Sequence, residues 1–195
     1  MKILDLKKDE IESFVKDIYS KKSGKDICPF MLSETRSGEM IYTELPEIGD
    51  RQNGGRIKSL IFAELLNNYL CIKSYTLVFQ AYFIRSENPD IGDWVGNIEN
   101  HPLKTEALQI IFVNEQNNNF KLYIIKPDGS LTSNIGNEFT NGSGDFTKLV
   151  DWKKIKEIPE TTSTMFMSLL VVSPDKFEEI MVGFVEKQIK ERNIK

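Results

Sequence analysis

The stretch SYTLVFQAYFIR, residues 74–85, sets the strongest condition on what this chain can fold into. Leu77, Phe79, Ala81 and Phe83 alternate with Val78, Tyr82 and Ile84, so an extended segment here is apolar on both faces. Successive side chains of a strand point to opposite sides of its sheet, and a strand of this kind must be covered on each of them. The chain therefore needs a sheet with this strand inside it and further elements packed above and below.

The rest of the sequence supplies candidates for those elements. Over residues 9–20, Ile11, Phe14, Val15 and Ile18 fall on one helical stripe, and Gly24 after the lysines at 21 and 22 marks its end. The opening residues read as charged and helical. An extended pair is expected at 29–32 and 40–45, turning on Arg36-Ser37-Gly38. After a glycine-rich loop, Ile57, Leu60, Ile61, Leu65 and Tyr69 line one face of a second helix. Segments 106–113 and 120–126 read as a hairpin connected through Asn117-Asn118-Asn119, since Asn tolerates the left-handed conformation. The apolar run MFMSLLVV, 165–172, reads as a further strand. A third helix follows, with Ser173 as cap, Pro174 and Asp175 in its first turn, and a stripe of Phe177, Ile180, Met181, Phe184 and Val185. Residues 127–148 have the composition of a long irregular excursion. The expectation is one α+β domain over 1–195, an antiparallel or mixed sheet of about four to six strands with about three packed helices.

Composition narrows the partners. Hydrophobic residues make up 40% and charged residues 28%, the balance of a chain that can bury a core. A net charge of −4 argues against general nucleic-acid binding, which needs clustered, uncompensated Lys and Arg. The longest apolar run falls well short of the roughly 20 residues that cross a bilayer, and the N-terminal residues contain nothing a signal peptidase would recognise. Cys28 and Cys71 stand apart, without paired spacing, which fits a reduced cytoplasm. These features point to a soluble cytoplasmic protein with a protein partner, no membrane contact and no required cofactor. They leave the oligomeric state open.

Catalytic motifs are incomplete. Gly54, Gly55 and Arg56, opening the second helix, form the nearest thing to an anion site, but no P-loop surrounds them. Asp151-Trp152-Lys153 has the local D-x-K form of some nucleases, a triplet that also arises by chance, and Asp128-Gly129 reads as a turn. One histidine and two isolated cysteines cannot supply a paired zinc site, and no G-x-S-x-G elbow is present. The polar stretch around the single histidine is the richest. Asp90, Asp93, Glu99, His101 and Glu106 could build a divalent-metal site (Asp90, Asp93, His101) or an acid–base set (His101, Glu106, Asp93). The plainer reading is a surface loop in which His101-Pro102 sets an extended entry to the next strand.

Two stretches, VFQAYF at 78–83 and HPLKTEAL at 101–108, resemble small uncharacterised bacterial and phage proteins in which a strand carrying E-A-W precedes H-P-x-R-x-E-A-L. His101, Pro102, Glu106, Ala107 and Leu108 agree with that pattern, while Gln80, Tyr82 and Lys104 replace its Glu, Trp and Arg. The resemblance implies a phage or mobile-element source and no particular activity. Loss of the glutamate at position 80 favours binding over chemistry. The function expected from the sequence is thus a non-catalytic binding or regulatory protein, with a small metal-dependent hydrolase around His101 as the alternative.

Overall fold

A computed structural model describes residues 1–22, 27–49, 54–84, 100–132 and 145–192. Six strands, β1 (Lys2–Leu4), β2 (Phe30–Thr35), β3 (Met40–Glu44), β4 (Ile72–Ile84), β5 (Lys104–Asn114) and β6 (Asn118–Ile124), form one sheet in the order β1-β3-β2-β4-β5-β6. Every pairing is antiparallel. The doubly apolar segment is β4, and it lies inside the sheet between β2 and β5. From Ser74 to Val78 it is buried on both faces; beyond Gln80 it is more open, where the cover on each side ends.

The sheet is a middle layer. Helix α1 (Ile11–Lys21) covers one face, setting Ile11, Val15 and Tyr19 against Phe30, Leu32, Val78 and Ile110. Helices α2 (Gly55–Tyr69), α4 (Glu160–Val172) and α5 (Pro174–Glu191) cover the other, with the short α3 (Lys154–Glu157) beside them. Their core joins Leu66, Leu70, Phe166, Leu170, Phe177 and Met181 to Tyr75, Leu77 and Ile111 of the sheet. The α+β domain expected from the sequence is present, with more helix than expected.

The surplus has a specific source. MFMSLLVV is not a strand; it is the body of α4. Buried Phe166 and Leu170 stand four residues apart on one helical side, and a short apolar run carries no periodicity that separates helix from strand. The N-terminal residues differ too. Lys2–Leu4 is an edge strand on β3, too short to show alternation in the sequence. The β2–β3 turn falls where expected, and Gly38 supplies its φ of +99°. The β5–β6 turn falls earlier than expected. Asn114 Oδ1 accepts the N–H groups of Gln116 (2.8 Å) and Asn117 (2.9 Å), so Asn118 and Asn119 are already paired with Val113 and Phe112. Ser173 does stand at the N-cap of α5, but its side chain makes no cap bond and the chain enters through Pro174.

A carboxylate locks α1 to the sheet. Glu12 accepts from Lys16 Nζ at 2.8 Å and also from Lys121 Nζ and Tyr123 Oη on β6. Burial alone would raise its carboxyl, but those hydrogen bonds and the Lys121 charge outweigh it and bring it from 4.5 to about 2. A value depressed by folding adds stability that is present above the unfolded value and lost as pH falls toward the folded one. The loss therefore runs from about pH 4.5 down to about pH 2. Because 29% of the Glu12 side-chain surface remains exposed, screening holds the net gain to about 1 kcal/mol. Urea titrations of wild type and Glu12→Gln should differ by about that amount at pH 7, with more than half of the gap gone at pH 3. A pH-independent gap would mean that packing, not charge, fixes α1.

Candidate functional site

His101 stands at the entrance to β5 and is 8% exposed. Its Nδ1 accepts the N–H of Leu103 at 3.0 Å, which fixes the bend Pro102-Leu103 ahead of the strand. When Nδ1 accepts, the proton of a neutral imidazole sits on Nε2, and that nitrogen becomes a donor. The sequence reading expected an extended entry here; the chain instead makes a tight turn, closed by the Lys104 N–H donating to the His101 carbonyl at 3.1 Å.

Glu106 lies on β5 opposite Tyr82 of β4, on the side of the sheet that α1 covers. Its Oε1 accepts from Gln80 Nε2 at 3.4 Å, and Gln80 Oε1 takes the N–H of Ile27. Gln80 thus ties β5 to the segment that leads into β2. The Lys104 ammonium lies 5.0 Å from the Tyr82 ring centroid. Asp90 and Asp93, the remaining members of the metal and acid–base sets, lie outside the described residues. Among the described residues, no group of three or more His, Cys, Asp or Glu is placed to hold a metal ion.

The anion candidate is occupied by the protein itself. Gly54 takes a φ of +74° at the start of α2, and Gly55 is buried. The Arg56 guanidinium, however, pairs with Asp145 at 3.3 Å and lies 4.7 Å from the Phe146 ring centroid. It fastens the end of the 127–148 excursion to the helical layer. Phe146 also contacts Phe79 at 5.1 Å, and its carbonyl accepts from Tyr75 Oη at 2.8 Å. At the start of the excursion, Asp128 accepts the N–H of Ser130 at 2.9 Å in a tight turn, and Ile125 bridges to Leu131. Residues 133–144 lie outside the described set.

Asp151, of the D-x-K triplet, likewise has a local role. Its Oδ1 accepts the N–H groups of Lys153 (3.1 Å) and Lys154 (3.0 Å), capping α3, while its own N–H donates to Asn68 at 3.0 Å. Cys71 is buried at the junction of α2 and β4 with a φ of +49°, and burial pushes its thiol up. Burial raises Cys28 as well, and both cysteines are free thiols.

What sequence reasoning missed is on the surface of the helical layer. Helix α4 buries Phe166 and Leu170, yet Met165 (59%), Val171 (62%) and Val172 (82%) are exposed. After Glu160 the helix holds no charged residue. This face borders a cleft of about 800 Å³, which Ile3 and Arg36 close from the opposite side. Such a patch would be visible in the sequence only once 160–172 is read as a helix, where 165, 168, 171 and 172 fall on one side.

No family model, curated protein or solved structure matches this chain. The class is therefore defined by the fold alone: an α+β domain with an antiparallel six-stranded sheet between unequal helical layers. No helix among the described residues is long and apolar enough to cross a membrane.

Proposed function

We propose that this chain is a non-catalytic binding or regulatory protein, of phage or mobile-element origin, that acts through contact with another protein. The observation that carries the reading is the uncharged outer face of α4, where Met165, Val171 and Val172 stand in water on a chain of which 28% is charged. Contiguous exposed apolar surface is unfavourable unless something covers it, and it marks interaction sites. The polar residues best suited to chemistry support the same reading. His101, Glu106, Arg56 and Asp151 each hold a strand entry, a strand pair, a turn or a helix start.

The contact surface in this reading is the outer face of α4. A photo-crosslinking amino acid at position 172 is compared with one at position 21, on the opposite side of the sheet, in extract of the cells that make the protein. Discrete protein adducts from 172 and none from 21 are expected. Equal labelling from both positions, or divalent-metal-dependent hydrolysis by the purified protein that His101→Ala abolishes, would overturn the reading.

A further inference from the structure

A second surface of the helical layer carries its own charge signature. A groove of about 390 Å³ runs along α5, bounded on its far side by the start of α2 and the turn Pro46–Gly49. Its floor is apolar, with Phe62, Leu45 and Ile189, and Val182 lies 46% exposed in it. Its rim carries four carboxylates, Glu44, Glu47, Glu178 and Glu186, against one ammonium, Lys58. Among the described residues none of these four makes an ion pair, whereas Glu12, Glu34 and Glu64 do. Glu44 accepts the Tyr42 hydroxyl at 3.2 Å.

The groove continues into a recess of about 420 Å³ through shared walls at Glu44, Pro46, Phe62 and Glu178. Thr43 lines that recess at 1% exposure, and its Oγ1 has no hydrogen-bond partner among the described residues. That hydroxyl is sealed from solvent, so Thr43 belongs to the packed wall of the recess and the charge and apolar floor of the groove carry the argument.

From this apolar floor and acidic rim, we propose that the groove takes a basic amphipathic helix of a protein partner. The proposal rests on the reading of the chain as a protein-binding module and names the chemistry of what it binds. Apolar anchors of such a helix at i, i+3 or i+4 and i+7 would lie along Phe62 and Val182. Glu178 and Glu186 are two turns apart on α5, about 12 Å, so lysines or arginines two turns apart on the partner meet both. An acidic helix would meet four carboxylates against the single ammonium of Lys58, which gives the groove its selectivity.

The probe is a fluorescent leucine–lysine amphipathic helix about five turns long, with a leucine–glutamate helix of the same pattern as its counterpart. Anisotropy titrations are run at about 0.15 M salt, where long-range attraction between charges is largely screened. Wild type should bind the lysine probe and not the glutamate probe. Glu178→Lys with Glu186→Lys should weaken binding at least about tenfold, as should Val182→Asp, because both rim and floor are required. Glu157→Lys with Glu160→Lys, the same charge change elsewhere, should stay within about twofold. Thermal melts of each variant show that the fold is retained. No binding by wild type overturns the proposal, as does an equal loss in the control pair or indifference to Val182→Asp. Failure here combined with adducts from position 172 would remove the groove and leave the protein-binding reading standing.

Discussion

Phe177→Ala should destabilise the protein by about 4 kcal/mol and lower its melting temperature by roughly 10 °C. The ring is fully buried and is where α5 enters the core. It meets Phe166 of α4 edge-on at 6.1 Å, and Phe166 in turn stacks on Tyr69 of α2 at 4.6 Å. Truncation removes the transfer gain of a large side chain, leaves a cavity among three helices, and breaks an aromatic pair worth about 1 kcal/mol. Val182→Ala, on the exposed side of the same helix, should stay within about 0.5 kcal/mol. Urea unfolding followed by circular dichroism reads both. A loss below about 2 kcal/mol for Phe177→Ala would mean that α5 is held elsewhere.

Asn67→Ala should cost about 3 kcal/mol, a large value for deleting one small amide. Asn67 has no exposed surface. Its Oδ1 accepts the Ser33 hydroxyl of β2 at 2.7 Å, and its Nδ2 donates to the Leu149 carbonyl at 3.0 Å. One side chain thus ties a central strand and the helix to the segment that leads into α3. Removing it leaves a buried hydroxyl and a buried carbonyl unpartnered, each at about 1–3 kcal/mol. The better helix propensity of Ala offsets only about 0.5 kcal/mol. Ser33→Ala alone should cost about 1 kcal/mol, and the double variant should cost less than the sum, since both remove one bond. Additive losses in that cycle would show that the two side chains act independently.

The Asn67 network also shows where sequence reading stops. The expected face of α2 was Ile57, Leu60, Ile61, Leu65 and Tyr69, yet Ile57 is exposed while Ser59, Asn67 and Asn68 are buried. Hydrophobic spacing cannot mark a helix face that is buried through its hydrogen bonds. Interior strand β4 was legible because both of its faces are apolar, a pattern with few alternatives. The stripes of α1 and α5 were legible for the same reason, since each repeats over two turns or more. For 165–172 the pattern failed, because a short apolar run carries no periodicity that separates helix from strand, and β4 is as long as α4. His101 was read as a strand entry or a site member; its Nδ1 accepts the N–H of Leu103 in the turn before β5, while Asp90 and Asp93 lie outside the described residues. The α5 groove was not legible at all, since its rim comes from β3, the 46–49 turn and α5, which only the fold brings together.

The unequal covering of the sheet has a consequence for how the molecule opens. Three long helices interlock on one face, whereas α1 holds the other through one stripe and the Glu12 contacts. Proteins open in cooperative units whose free energies range from near zero to the global value. In this fold α1 is the natural low-energy unit: it can detach while β2, β4 and β5 stay paired and backed by the opposite layer. Its amides should then exchange with solvent through that partial opening, well ahead of those of β4. Each such event would bare Phe30, Leu32, Val78 and Ile110 for an instant. The residues that keep this protein from associating through a freshly exposed sheet are therefore Glu12, Lys121 and Tyr123, which govern how often that door opens.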